Sequence, residues 1–439
     1  MSLQTIIGLL NKQKIVEDML HNQSMRRHDL VETVVQRQHQ VELQAILERL
    51  PAAEIGKTLE LLSIEDAQRL WSHVTPEREE DLLWEISDAR REALVGDRQP
   101  QISTGQINVC EVVNGRMRIV EISCRRDLET LKPVWIDLLQ ASKSERSGIG
   151  RFYGLELPDP DELTDLEASA RFYVEESDEI HLHSNFLLDH DRESRSVPVA
   201  FILHKNILFT VRNEELPVFR LQRLRARNQL SAFSDSKDLL LELYDTDIEY
   251  SADALEDSYA ALRQVGQTVL RENITDTDAT RILTEITTEE DRNGLIRSNM
   301  LDTQRAVSFL MRGHFLSPAQ ISKVNQILRD IESLNSHTAF LFEKINFLMD
   351  ATVGFINVNQ NKRVSQLTVL SVVFMPLNII AGMGGMSEFS MMTDGIPWPV
   401  AYGALGIGMA CIGWITYLIL KLLESRRSRR AAAAHRPSL

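Results

Sequence analysis

Cysteine is scarce in this chain of 439 residues: Cys110, Cys124 and Cys411 stand far apart, with no paired metal-ligand spacing. That excludes a disulfide framework and a thiolate zinc site, and agrees with a reducing compartment. Basic residues are outnumbered. Lys and Arg total 48 against 63 Asp and Glu, so the net charge is −15 despite a basic C-terminal tail. Such a balance argues against nucleic acid as a partner and suits cations. The start, MSLQTIIGLLNKQK, has no basic n-region and no small-residue cleavage site, so no secretory leader is expected and residues 1–360 are expected in the cytoplasm. No serine, cysteine or carboxylate constellation points to covalent or hydrolytic catalysis, and a non-enzyme without a resident cofactor is expected. The Gly148 to Gly154 stretch lacks the Gly-Lys-Ser/Thr of a phosphate loop and reads as a turn. His181 and His183 would share one strand face, but no third convergent ligand is legible nearby, and an exposed strand edge is expected. Asp189 to Arg195 reads as a solvated loop.

Long uncharged runs are also missing, except at the C-terminal end. Val364 to Ser387 and Pro399 to Leu420 contain no Asp, Glu, Lys, Arg or His. Each is long enough for the ~20 residues that cross a ~30 Å hydrocarbon core. Lys362 and Arg363 precede the first, and Lys421, Arg426, Arg427, Arg429 and Arg430 follow the second, while the connection carries only Glu388 and Asp394. By the positive-inside rule both termini are expected in the cytoplasm.

The length allows two or three domains. Residues 1–95 are helical in pattern, with Leu50-Pro-Ala-Ala-Glu, Leu62-Ser-Ile-Glu-Asp and Val74-Thr-Pro-Glu-Arg recurring every twelve residues, as in a small solenoid of short helices. The pattern resembles the cytoplasmic N-terminal domain of the MgtE magnesium channels. A polar linker, GDRQPQISTG, follows. Then come β-rich runs at 107–113, 117–122, 199–204 and 206–211, the last two meeting at a tight turn on Lys205-Asn206, with a helical piece over 161–173. Two long helices are expected over 236–271 and 276–312, the first rich in acids from Glu242 to Asp257. Ser317-Pro-Ala-Gln320 then offers an N-cap, a proline at the first helical position and an N3 glutamine. The helix it starts would run to about Ile380, some ~95 Å at 1.5 Å per residue, with a local kink at Pro376.

Along that helix Asn378, Met375, Ser371, Thr368, Val364, Asn361, Asn357, Gly354 and Asp350 alternate spacings of three and four, which keeps them on one face. Within the uncharged run this is the more polar face, and lipid would reject it. Asn, Ser and Thr also glue spanning helices together. The stripe, however, continues without slip into the cytoplasmic part and ends at Asp350, as a pore lining would. Its polar groups are hard oxygens, which suit Mg²⁺ with retained waters better than a thiolate or imidazole metal.

The segment LTVLSVVFMPLNIIAGMGGMSEF resembles the first transmembrane helix of the CorA family of divalent-cation channels, whose pattern runs FMPLT-x-I-A-G-x-Y-G-M-N. Phe374 to Leu377, Ala381-Gly382 and Gly385-Met386 match; Gly384 replaces the usual tyrosine and Ser387 the signature asparagine. Trp135 to Leu138 and Ile296 to Arg312 extend the similarity. The resemblance implies a CorA-like homopentameric funnel: an α/β cytoplasmic domain, a long helical stalk and two C-terminal transmembrane helices, here with an extra all-α N-terminal domain. It implies a pore file of Asn361, Val364, Leu367, Ser371, Met375, Asn378, Gly385, Met386 and Ser387, with Val364, Leu367 and Met375 as the apolar gate. Asp350 matches an acidic position near the inner mouth, and Gln326 falls at one regulatory position. Glu388 and Asp394 would concentrate cations at the outer mouth.

The expected organisation is a helical domain 1–96, linker 97–105, α/β domain 106–225, acidic helices 226–316, stalk 317–363, pore helix 364–386, periplasmic loop 387–398, second span 399–421 and basic tail 422–439. The expected function is inward passage of hydrated divalent cations, Mg²⁺ foremost, across the bacterial inner membrane, gated by cation binding to the cytoplasmic domain. The partners expected are the lipid membrane, further copies of the chain and the cation, with a protein partner for residues 1–96. Two alternatives stay open: a non-conducting metal sensor or scaffold, and a Zn²⁺, Co²⁺ or Ni²⁺ transporter.

Overall fold

The computed structural model describes residues 8, 41–95, 105–113, 116–162, 167–175, 179–190, 193–228, 235–269, 276–384 and 395–434. The chain divides into two units, Met1–Arg263 with Thr287–Lys344, and Gln264–Ile286 with Ile345–Leu439.

In the first unit, residues 41–49 are helical and four short helices follow: α1 (Ala52–Leu61), α2 (Ile64–Trp71), α3 (Pro76–Glu85) and α4 (Asp88–Val95). Their first residues fall twelve apart, and the fourth start, Ile86-Ser87-Asp88, continues the sequence repeat. Ser63 caps α2 by accepting from Asp66 N–H, and α3 begins on Pro76, whose missing N–H is no loss there. Leu43, Leu47, Ile55, Leu59, Leu70, Leu82 and Ile86 bury together as a separate core. Arginines at the third position of α3 and α4 bind the preceding repeats. Arg78 donates to the carbonyls of Leu47 and Leu50, and Arg90 to those of Glu60 and Leu62.

The α/β core is a seven-stranded sheet in the order β2-β1-β3-β7-β6-β5-β4, from β1 (Gln106–Val113), β2 (Arg116–Ile122), β3 (Pro133–Leu139), β4 (Phe172–Val174), β5 (Ile180–His190), β6 (Glu193–His204) and β7 (Ile207–Arg212). Among the described residues only β3 and β7 pair in parallel, and the other ladders are antiparallel. The turn between β6 and β7 is Lys205-Asn206, with φ of 48° and 66°, the left-handed pair of a two-residue hairpin. Alternation along the strands sends the two faces to different covers. Val109, Ile136, Leu138, Ile202 and Phe209 pack under α5 (Arg125–Thr130) and α6 (Lys143–Tyr153), while Trp135, Phe186, Phe201 and Leu208 pack under long helices.

Those helices, after α7 (Ala168–Arg171) and α8 (Pro217–Asn228), are α9 (Ser236–Val269), α10 (Asp276–Arg312) and α11 (Pro318–Gly384). Leu240, Tyr244, Val307, Leu310 and Val324 supply their side of the core. A buried ionic network joins strands to α8: Asp137 accepts from Thr210 at 2.8 Å, Arg212 at 2.9 Å and Arg223 at 3.0 Å. Burial alone would raise the Asp137 carboxyl, but the two guanidinium groups outweigh it and hold it below its ordinary value. Arg171 and Asp302, both buried, pair at 2.9 Å and tie α7 to α10.

Four sequence expectations change here. The Gly148 to Gly154 stretch is not a turn: it lies in α6 and ends it, Gly154 taking the left-handed cap at φ 77°. Gly148 is needed for close approach, because a Cβ there would lie 2.1 Å from Nε1 of Trp84. His181 and His183 are not on an exposed edge, since β4 covers β5 and both imidazoles are buried. Asp189 to Arg195 is largely the β5–β6 ladder rather than a loop, with Asp189 paired to Ser194. The helical piece over 161–173 reduces to the 3-10 turn Pro160–Glu162 and the four-residue α7, with Phe172 opening β4.

In the second unit, Val265, Val269, Ile282, Ile286, Ile345 and Leu348 are buried. The rest of α11 and α12 (Trp398–Ala434) carry two windows apolar enough to cross a membrane, one within Pro318–Gly382 and one over Trp398–Ile419.

Candidate functional site

The candidate site is the membrane-length part of α11. Its start is fixed by the expected cap: Gln320 N–H donates to Ser317 Oγ at 3.4 Å and Ser317 N–H to Gln320 Oε1 at 2.9 Å. From there the helix is unbroken to Gly384 and passes through Pro376, so one backbone positions the whole stripe. Asp350, Asn361, Val364, Leu367, Ser371, Met375 and Asn378 are all exposed on it. Val364 is 60% exposed, Leu367 63% and Met375 67%, and neither membrane-length window is buried. A surface this apolar and this long fits a membrane span.

Polar and apolar members are interspersed along the face. Thr368 donates its hydroxyl to the Val364 carbonyl at 2.8 Å, which spends the donor inside the helix and leaves the oxygen lone pairs outward. The two spans touch at Gly413, where a Cβ would meet Leu377 Cδ1 at 3.3 Å. That contact involves a leucine outside the polar stripe, as a face turned toward a neighbouring helix requires. The five residues assigned to the outer mouth, Gly385, Met386, Ser387, Glu388 and Asp394, lie outside the described residues.

The acidic helix α9 is not uniformly a solvated face. Lys323 pairs with Glu242 and lies 3.8 Å from Asp245, and Arg225 lies 3.5 Å from Glu249. Burial raises the Asp245 carboxyl, with neighbouring acids adding to the rise and Lys323 opposing it. Asp247 is buried outright; burial pushes it up to about 8 against one hydrogen bond from Leu187 N–H. Gln326 is exposed. Sequence reasoning missed the internal position of Asp247. Its apolar neighbours Leu240, Leu243 and Tyr244 at helical spacing carried the signal.

The family model of the CorA-like Mg²⁺ transporter proteins matches residues 131–427. The chain belongs to the CorA family. Magnesium transport protein CorA of Escherichia coli K12 is 37% identical over 316 residues, which cover 72% of this chain and 98% of that protein. Magnesium transport protein CorA of Yersinia pseudotuberculosis is 37% identical over 310 residues, 70% of this chain and 96% of that one. Among solved structures, full-length CmaX aligns over 72% of this chain and 97% of its own, at 14% identity and a TM-score of 0.48. The soluble domain of CorA from Methanocaldococcus jannaschii aligns over 58% and 99%, at 12% and 0.47. The CorA match takes in the sheet from Leu131 onward, the long helices and both spans. It begins after the four short N-terminal helices.

Proposed function

We propose that the chain passes hydrated divalent cations, Mg²⁺ foremost, inward across the bacterial cytoplasmic membrane, through a pore walled by α11 from a homopentamer with its termini in the cytoplasm. Membership of the CorA family and the magnesium transport named for its relatives support the ion. One observation carries the pore: a largely exposed stretch of α11, uncharged from Val364 onward, bears Asn361, Thr368, Ser371 and Asn378 on one helix face.

The cation is cargo, and the chain's residues act on its water shell. Amide oxygens of Asn378 and Asn361 and the Ser371 hydroxyl accept hydrogen bonds from that shell, so Mg²⁺ keeps its reluctant-to-leave waters. Rings of Met375, Leu367 and Val364 form the gate, which closes by dewetting when narrow. Asp350 draws the cation at the inner end, and Glu388 and Asp394 gather it at the outer end. Ser387 stands where the family signature has asparagine, with a shorter reach and no amide, and Asn378 takes over part of its coordinating role. Acids on α9 sense internal cation: occupied, they hold subunits together; empty, they repel and the pore widens.

The test is flux into proteoliposomes under an inside-negative potential, comparing Mg²⁺, Co²⁺, Ni²⁺ and Zn²⁺. Saturable Mg²⁺ flux that falls about tenfold or more in Asn378→Ala is expected, an amount equal to ~1.4 kcal/mol or more at the barrier. Unchanged flux and selectivity in that variant would refute the role of Asn378. Ser387 favours one other reading, a non-conducting sensor or scaffold whose N-terminal helices bind a protein partner. On that reading wild type conducts no ion and Ser387→Asn restores flux.

A further inference from the structure

At the sheet edge formed by β4, three strands bring together residues that are distant in sequence. Tyr173 lies opposite His181 in the β4–β5 register, and the two rings stack at 4.7 Å with planes 6° apart. Glu179 immediately precedes β5, and His181 falls on its face by the two-residue period. The β5–β6 register pairs Ile180 with Leu203, which sets His204 beside Glu179. Nε2 of His181 is 3.5 Å from Oε2 of Glu179, and Nδ1 of His204 is 3.6 Å from Oε1. Glu175 follows β4 and donates its backbone N–H to the Glu179 carbonyl at 2.9 Å. One ligand atom each from Glu175, Glu179 and His181 lies within 4.8 Å of the other two.

Burial makes this cluster more than an acidic patch. Glu179 and His181 are 2% exposed and His204 4%. The ring nitrogens of both histidines make no hydrogen bond among the described residues. Ring nitrogens this deep, with only the long Glu179 contacts beside them, are poorly satisfied, and a bound ion would relieve that cost. Tetrahedral zinc bonds of about 2.0–2.2 Å place ligand atoms about 3.3–3.6 Å apart, close to the His181–Glu179 separation. A cavity of about 700 Å³, lined in part by Arg146, Gly150, Leu157, Asp159, Glu175 and Glu179, reaches the carboxylates. Arg146 is held by Asp159 at 2.7 Å, so its charge is met within the cavity wall.

We infer that Glu175, Glu179 and His181 bind one zinc-class transition-metal ion, with His204 positioning Glu179 and water from the cavity completing the coordination. One imidazole with two carboxylates favours Zn²⁺, Co²⁺ or Ni²⁺ over Mg²⁺, which takes oxygen ligands. His204 acts through Glu179 as an outer partner that fixes a ligating carboxylate. The site shares no residue with the pore file and stands whether or not the chain conducts.

Full-length protein in detergent, stripped by chelator, is titrated with Zn²⁺ and Co²⁺, and bound metal is counted by elemental analysis. Expected are one zinc per chain that excess Mg²⁺ does not displace and a cobalt form with visible ligand-field bands. Glu175→Gln, which changes an exposed side chain, should weaken binding about tenfold or more, and His204→Ala about 10–100-fold with the stoichiometry kept. Asn378→Ala should bind zinc as wild type does. Equal zinc affinity in wild type, Glu175→Gln and His181→Gln, or no zinc binding by wild type, overturns the site. Loss of zinc in Asn378→Ala alone would place the ion in the pore and overturn it as well. Mg²⁺ flux, read separately, decides the transport reading independently of these outcomes.

Discussion

Asp247 shows how far one residue can depart from what its neighbours in sequence imply. It sits among seven acids on α9, yet it is fully buried, with a hydrogen bond from Leu187 N–H at 3.3 Å as its contact. Burial raises its carboxyl from 3.8 to about 8, so across neutral pH the folded chain holds a proton that the unfolded chain has released. Between about 4 and 8 the native state therefore binds more protons, and stability falls as pH rises. The contribution is on the order of a few kcal/mol over that window. Asp247→Asn keeps an acceptor for Leu187 N–H and removes the titration. Its melting temperature should fall less than wild type between pH 5 and 8, measured on detergent-solubilised protein. Parallel pH profiles for the two proteins would show that Asp247 is ionised in the fold.

At the scale of elements, the N-terminal helices are joined by a device that repeats with them. Arg78 and Arg90 occupy equivalent positions in consecutive repeats, and each donates to carbonyls at the end of the helix three places earlier. Those carbonyls are among the four that a helix end leaves without intrahelical donors. Arg90→Ala would strip donors from Glu60 and Leu62, at a cost of about 1–3 kcal/mol. Amide exchange over residues 41–95 should then quicken about fivefold or more, while β5 to β7 exchange as before. Uniform exchange across both regions, or none changed, would count against local stapling. Much of this level was legible beforehand. The twelve-residue spacing, the Ser317 cap and the Lys205-Asn206 turn are local signals, and the structure places elements where they fall. The exposed polar face of α11 was legible for the same reason, because a helix face is written in consecutive residues. β3, β4 and the length of β5 were not, since His, Ser and Asn in Ile180 to His190 read as polar while strand pairing buries them. The Glu175, Glu179, His181 and His204 cluster was illegible for a related cause. Its members meet only through the register of three strands, and register across strands is set by non-local packing.

At the scale of the whole chain, residues 1–95 pose a question of dependence. The CorA match begins at Leu131, and the Escherichia coli relative is covered over 98% of its own length by 72% of this chain. The additional helices are nonetheless attached to the α/β domain by specific contacts. Trp84 fills the space over Gly148, Arg125 pairs with Glu85 at 3.1 Å, and Ser144 donates to Asp81 at 2.5 Å. Arg91 adds a bond to the Ser123 carbonyl at 2.9 Å. Trp84 belongs to the same buried cluster as Val109, Ile136 and Ile149, so removing these helices uncovers part of that core. A chain beginning at residue 97 should therefore melt several degrees lower, a shift that ~1–2 kcal/mol produces in a domain of this size. Its Mg²⁺ flux in proteoliposomes should persist, because the proposed pore file and both candidate spans lie within the family match. Persisting flux with a lowered melting temperature would make the N-terminal helices a stabilising and docking addition. Flux abolished in a truncated protein that still assembles would make them part of the transport machinery, and would shift the search for the gate toward the Trp84–Gly148 contact.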